Sequence, residues 1–274
     1  MDIHILDVGC GNMAILFNPD GTRVVIDCNI TSDNSNDVLG YVRRILGYGT
    51  SIDVFINSHR DADHMRGITD LHAQNPIKAI WDTDVPGTTT DSPEYLAYMT
   101  LKRMLPGRTI EARNFYTFGD AKYRCMSAKW SDYTDPNEQS AVIKVEYRTV
   151  GCSVMFAADT NYRPWKEKIL TNYNGNDLQS ALLVGAHHGS VTFFDDPADT
   201  KNYYVDHIKK INPAMTLVSV GPNQHGLPDA KAIDLYTKYS TGSSAGNKVF
   251  TTEDKHNMKI TLKDDGGWNL AVDQ

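Results

Sequence analysis

Between positions 59 and 64 the chain packs two histidines and two aspartates into six residues, His59-Arg60-Asp61-Ala62-Asp63-His64. The run follows directly on the apolar stretch Ile52-Asp53-Val54-Phe55-Ile56-Asn57. Imidazole and carboxylate are the side chains that hold zinc or manganese, and close spacing lets one loop offer several of them to a small volume. A solvated charged turn has no need of this composition. A strand that ends in ligand-type residues and leads into a helix suits an open α/β sheet, whose sites gather at the carboxyl ends of strands. Arg60 and Ala62 alternate with the ligand types and are expected to point elsewhere.

The same shape recurs three times. Val154 to Ala158 runs into Asp159. Alone, such an aspartate reads as a helix N-cap ahead of Pro164; beside a His/Asp cluster it reads better as a carboxylate bridging two metals. Leu182 to Ala186 runs into His187-His188-Gly189-Ser190. Adjacent histidines do not normally both bind one ion, so one is expected to ligate while the other moves a proton or binds substrate. Leu217 to Val220 runs into Gly221-Pro222-Asn223-Gln224-His225-Gly226, where Asn223 and His225 can face the same site.

The periodicity predicts strands over 3–8, 13–17, 23–27, 52–57, 77–81, 141–147, 152–157, 181–184 and 216–220, with two or three more after 248. It predicts helices over 37–46, 65–71, 93–105, 165–170, 203–211 and 230–239. Asn18-Pro19-Asp20-Gly21 marks a hairpin turn, and the Gly/Ser-rich patch 240–246 a surface loop. Segments 91–105 and 161–177 are candidate walls of a substrate cleft. Two sheets sandwiched between helices follow from this order. With 274 residues, the chain is within reach of one large domain over 1–274. No apolar stretch is long enough to span a bilayer, and no signal peptide is expected. Cys10, Cys28, Cys125 and Cys152 form no CxxC pair and read as thiols of a reducing, cytoplasmic compartment. The net charge of −7 argues against a general nucleic-acid coat protein, but not against a nuclease whose metals neutralise one scissile phosphate.

Taken in order, these motifs resemble the metallo-β-lactamase fold superfamily. Within it they are most similar to the hydrolase domain attached to the DNA-uptake channel protein ComEC. Leu6-Asp7-Val8-Gly9-Cys10-Gly11-Asn12 is similar to that branch's LDVGQGD turn, with Cys10 and Asn12 replacing its Gln and second Asp. Val25-Ile26-Asp27 resembles its second-strand aspartate. Ser58 to His64 is similar to its SHxDxDH form of the HxHxDH motif. Ala158-Asp159 stands where the branch has Gly-Asp, and His187 to Ser190 matches its HHGS. Ser219-Val220-Gly221 with Asn223 is similar to its SVGxxN loop, and Val249 to Thr252 to its closing strand. Two departures stand out. Gln224-His225-Gly226-Leu227-Pro228 replaces the branch's Tyr-Gly-His-Pro. No histidine lies between His72 and His187, where the wider superfamily supplies one; Pro136 to Ser140 stands there instead, similar to the branch's Asn-x-x-Ser.

The resemblance implies an αββα four-layer sandwich and a site for one or two divalent ions. Zn or Mn is expected, with Mg possible. One position would use Asp63, His64, Asp159 and either His187 or His188. The other would use His59, Asp61 and Asp159, is short of a ligand, and is rich in oxygen. Asn137, Ser140, Ser190 and Asn223 are expected to contact substrate. The expected activity is phosphodiester hydrolysis by a metal-activated water, oriented by Asp63 or Asp61, with His188 or His225 protonating the leaving oxygen. The substrate would be nucleic acid, a nucleotide or a phosphorylated small molecule. The alternatives are hydrolysis of a lactone, lactam or thioester, or a metal-stabilised binding module with weak catalysis. A redox di-iron site would need a stronger third ligand on each iron.

Overall fold

A computed structural model of the chain describes residues 1–127, 129–242 and 248–273. Strands β1 (Asp2–Ile5), β2 (Ala14–Phe17) and β3 (Arg23–Ile26) form an antiparallel meander, its second turn closed by the Asn18 N–H on the Thr22 carbonyl at 2.9 Å. The two-residue β4 (Cys28–Asn29) bridges in parallel to Met65 and Arg66. Then β5 (Val54–Ile56), β6 (Ile80–Asp82) and β7 (Gly107–Thr109) add to β3 in parallel, each after a helical crossover. The second sheet opens with β8 (Phe115–Phe118), β9 (Ala121–Cys125), β10 (Ile143–Tyr147) and β11 (Thr149–Phe156), all antiparallel. It continues in parallel through β12 (Leu182–Val184), β13 (Met215–Val218) and β14 (Val249–Thr251). Finally β15 (Met258–Leu262) and β16 (Trp268–Val272) return to the first sheet beside β1.

Alternation along the strands builds the layers. Val24 and Ile26 of β3 face the second sheet, where they meet Val154 and Phe156 of β11. Val25 faces the other way, onto the helices Ser35–Leu46, Ile68–Gln74 and Pro93–Met104. Met155 of β11 likewise turns outward, toward Trp165, Ile208 and Tyr236. The expected αββα sandwich is the architecture found. Strands buried on both faces explain why their sequences read as continuous apolar runs.

Several expected boundaries move. The helix expected over 65–71 is two pieces, Ala62–Met65 and Ile68–Gln74. Gly67, at φ +75°, breaks them apart because its backbone presses on Ile30; a Cβ there would lie 2.6 Å from the Ile30 carbonyl oxygen. The helix expected from 203 begins at Asp206. The helix expected over 165–170 is the middle of a longer helical stretch, 162–172, that carries a π turn at Trp165–Ile169. The first strand stops at Ile5, after which the Leu6 N–H turns to the Met13 carbonyl. Strands β7, β8 and β9 were not expected. Of the surface loop expected over 240–246, residues 243–246 lie outside the described residues.

Candidate metal centre

His59, Asp61, Asp63 and His64 leave the end of β5, Asp159 leaves β11, and the histidine pair leaves β12. The site therefore lies where both sheets end. Asp63, His64, Asp159 and His188 each offer one ligand atom, and these atoms all lie within 4.8 Å of one another. His188 Nε2 is 3.2 Å from Asp63 Oδ2 and 3.4 Å from Asp159 Oδ2. His64 Nε2 is 3.2 Å from Asp159 Oδ1.

The opposite ring nitrogens are already engaged. His64 Nδ1 donates to Asp27 Oδ2 at 2.9 Å, and His188 Nδ1 to the Ser219 carbonyl at 3.0 Å. Asp27 is buried and also accepts from the Ser58 N–H and hydroxyl, both at 2.7 Å. His59 Nδ1 reaches the same Ser58 hydroxyl at 3.1 Å. Such partners orient a ligating imidazole and fix its tautomer. They leave His59 Nε2, His64 Nε2, His188 Nε2 and Asp159 Oδ1 buried without a hydrogen-bond partner. Buried polar atoms that converge unpaired are costly, and a divalent cation would satisfy these together. The donor set, two imidazoles and two carboxylates, fits such an ion.

A second group of atoms surrounds Asp159 Oδ2. His59 Nε2 and His187 Nε2 each lie 3.9 Å from it, and Asp61 Oδ2 lies 3.8 Å from His59 Nε2. Asp61 Oδ1 is occupied by the N–H and hydroxyl of Thr88, at 3.0 and 2.8 Å. Only one oxygen of Asp61 thus faces the histidines. His187 and His188 both sit at positive φ, 49° and 51°, a strained turn that aims adjacent side chains at different atoms.

The charges respond to this crowding. Burial opposes a charged His188, yet the Asp159 and Asp63 carboxylates push its pKa up to about 10. His64 is likewise raised against burial by Asp159, Asp27 and Asp63. Burial works against the ionised Asp159, but His64, His188 and His187 hold it well below the usual carboxylate range. His59 goes the other way, lowered by burial and by its neighbour His64. Negative charge concentrated at converging imidazoles is the setting in which a metal ion can take the place of protons.

The remaining expected residues fall into three places. Ser140 is buried, and its hydroxyl donates to the Asn137 carbonyl at 2.7 Å inside their own loop; that loop packs against the site through the Ala141 N–H on the Ser58 carbonyl. Asn137 Oδ1 is buried and unpartnered. Ser190 caps the turn after the histidine pair by accepting from the Thr192 N–H. Asn223 staples its loop, donating to the Gly221 and Leu227 carbonyls and accepting from the His225 and Leu227 N–H groups. Asn223 and His225 line a cleft of about 600 Å³ that also takes in Asp63, Cys10, Asn29 and Arg66. Its walls come from these segments and not from the expected 91–105 and 161–177. Asp159 is not a helix cap; Asn161 caps, accepting from the Arg163 N–H at 2.9 Å. Arg60 does point away, into a buried pair with Asp82 at 2.8 Å that Lys102 and Tyr98 complete. Sequence reasoning assigned no role to Ser58, Ser219 or Thr88. The first two sit at strand ends beside ligand-type residues, which is the signal that could have found them.

No family model matches the chain, and no curated protein matches it in sequence. Solved structures do match. The metallo hydrolase Igni18 from Ignicoccus hospitalis KIN4/I superposes with a TM-score of 0.58 at 14% identity, over 96% of this chain and 100% of that one. Tm1679, a metal-dependent hydrolase of the β-lactamase superfamily, gives 0.56 at 15% identity over 96% and 100%. A diphosphatase of the PhnP family gives 0.55 at 11% identity over 96% and 98%. The chain has the metallo-β-lactamase fold.

Proposed function

We propose that this chain is a metal-dependent hydrolase acting on phosphodiesters. The observation that carries the proposal is the convergence, at the shared end of two sheets, of buried imidazole and carboxylate atoms that no other group satisfies. Fold neighbours described as metallo or metal-dependent hydrolases, one a diphosphatase, support hydrolysis and phosphate chemistry. The motif likeness to the ComEC-attached domain supports a phosphodiester in particular.

Asp63, His64, Asp159 and His188 would hold one divalent ion, zinc or manganese. His59, Asp61, Asp159 and His187 would hold a second one more loosely. Bound there, such an ion supplies Lewis acidity, which lowers the pKa of a water and polarises a phosphoryl oxygen. The chain supplies orientation. Asp63 is a third exposed toward the cleft and can accept a proton of the attacking water, fixing its direction. His188 Nδ1 is held by the Ser219 carbonyl and its Nε2 would face the ion, so proton delivery to the leaving oxygen falls to His225 on the cleft rim. The cleft volume suits a nucleotide or phosphorylated small molecule, and the acidic surface disfavours a long nucleic-acid track. Four free cysteines suit a reducing cytoplasm. Among the described residues no helix is long and apolar enough to cross a membrane.

The test is a panel of chromogenic phosphodiesters, lactones and lactams with protein loaded with Zn or Mn, the loading confirmed by elemental analysis. Phosphodiester turnover lost in Asp159→Asn is expected. Turnover of a lactone or lactam without any phosphodiester turnover overturns the proposal, and full loading with no turnover favours a binding module.

A further inference from the structure

Building on that reading of the site, we infer that Arg66 forms a second anion-binding subsite in the cleft, so that the preferred ligand carries a carboxylate or phosphate beyond the group at the metal centre. Arg66 is the one Lys or Arg side chain among the residues that line the cleft, and Asp63 lines the same cleft three positions earlier in the chain. The backbone at Arg66 is fixed. Its carbonyl accepts from the Ile30 N–H at 2.9 Å, and the residue bridges in parallel to Asn29.

The guanidinium is held on two sides and left free on the third. Nη1 donates to Asn29 Oδ1 at 3.1 Å, and Nε to Glu94 Oε1 at 3.4 Å. Asn29 is itself immobile: it is buried, and its amide donates to the Val8 and Cys10 carbonyls at 3.1 and 3.0 Å. Nη2 has no hydrogen-bond partner among the described residues. A purely structural arginine would turn its planar fork onto Glu94, where two parallel bonds are available. Here the contact is single and long, and 35% of the Arg66 side chain remains exposed. A preorganised, partly desolvated guanidinium edge suits an oxyanion, carboxylate or phosphate alike. The neighbouring amide of Asn34 does not compete, because it already donates to the Val8 and Asn29 carbonyls. Asp33 also lines the cleft and opposes an anion there. The subsite therefore favours a ligand that reaches the guanidinium edge directly over one that lies along the rim.

The test is titration calorimetry on zinc-loaded protein with three probes. These are thymidine 5′-monophosphate, thymidine 3′,5′-bisphosphate, and the monophosphate bearing a 3′-O-carboxymethyl group. At least one of the two probes with a second anionic group is expected to bind about 10- to 100-fold more tightly than the monophosphate, as a hydrogen-bonded charge pair implies. Arg66→Gln is expected to level the probes while keeping the monophosphate affinity and the zinc content. Glu94→Gln, which releases the guanidinium, is expected to keep or raise the preference, and guards against a simple folding effect. The probe favoured identifies the anion. Equal affinities in the wild type, or a preference that survives Arg66→Gln, overturn the subsite. An Arg66-dependent preference in a protein that turns over no phosphodiester leaves the subsite standing and removes the hydrolase reading; turnover without the preference does the reverse.

Discussion

Asp27 offers no atom to the cluster, yet it accepts from His64, from the Ser58 N–H and from the Ser58 hydroxyl. A ligating imidazole keeps its direction through such a partner, and losing it typically lowers metal affinity ten- to hundredfold. Asp27→Asn preserves the volume but removes the charge. We expect zinc affinity to fall by about that factor, measured by competition with a chromogenic chelator; unchanged affinity would remove Asp27 from the centre. The clustering of these residues was legible in the chain, because imidazoles and carboxylates at strand ends have few other reasons to gather. Which of the paired histidines joins the four-atom group was not legible. That choice rests on two consecutive left-handed residues and on the Ser219 carbonyl, which lies 31 positions away. A different histidine, His207, is expected to contribute to the response to acid. It is buried, stacks on Phe193 and donates from Nε2 to the Phe193 carbonyl at 2.6 Å, while its Nδ1 accepts from the Ile208 N–H. Burial pushes its pKa from the ordinary 6.5 down to about 3. Above pH 6.5 both folded and unfolded states carry it neutral, so its contribution is complete there. As the pH falls from 6.5 toward 3 only the unfolded state takes up the proton, and stability declines by up to about 1.4 kcal/mol per pH unit. Urea titrations between pH 7.5 and 4 are expected to show a shallower decline for His207→Gln than for the wild type. An identical slope would assign the acid response to other groups, His4 first among them.

Elements were legible where packing is two-sided and obscure where it is not. Strands β3, β5, β11, β12 and β13 read from sequence as apolar runs because helices cover one face and the partner sheet the other. Strand β7 (Gly-Arg-Thr) has all three residues exposed and leaves no apolar signature, whereas β8 (Phe-Tyr-Thr-Phe) alternates exposed and half-buried positions and carries an aromatic signature that is short and isolated. The turn signal Gly119-Asp120 between Phe115–Phe118 and Ala121–Cys125 was present, and alternation on either side of it would have located this hairpin. The broken helix after the ligand run is the instructive case. Periodicity suggested continuity from Met65, but tertiary contact imposes a stop at Gly67, where the chain passes directly over Ile30. Gly67→Ala would meet both a left-handed backbone and the Ile30 side chain and carbonyl. We expect a loss of about 2–4 kcal/mol, seen in chemical denaturation, together with weaker zinc binding, since Arg66 and Met65 anchor the ligand helix to β4. Full stability of Gly67→Ala would show that the stop is not sterically enforced.

At the scale of the molecule, the two sheets share a pattern: an antiparallel meander, then parallel strands reached by helical crossovers. Each sends ligand-type residues from its parallel strands to one common edge. The first sheet contributes His59, Asp61, Asp63 and His64, the second Asp159, His187 and His188. Direct ties between the halves at this edge include the Ser219 hydroxyl on the Gly11 carbonyl at 2.7 Å and the Ala141 N–H on the Ser58 carbonyl at 2.9 Å. A cation held by Asp63 and His64 from one sheet and Asp159 and His188 from the other would clamp the sheets together as well as serve the chemistry. It binds a constellation that the unfolded chain does not possess, so its binding free energy adds to folding. With free zinc at about a thousand times the dissociation constant, the added stability is about 4 kcal/mol. Loading should raise the melting temperature by several degrees, and prolonged dialysis against a chelator should reverse the gain. Asp159→Asn should abolish the gain, because that carboxylate is shared between both groups of ligands. Arg60→Lys, altering an ion pair beside the site but no ligand, should retain it. A melting temperature indifferent to zinc in the wild type would mean that the paired sheets close on their apolar core alone, and that the cluster is held in place without an ion.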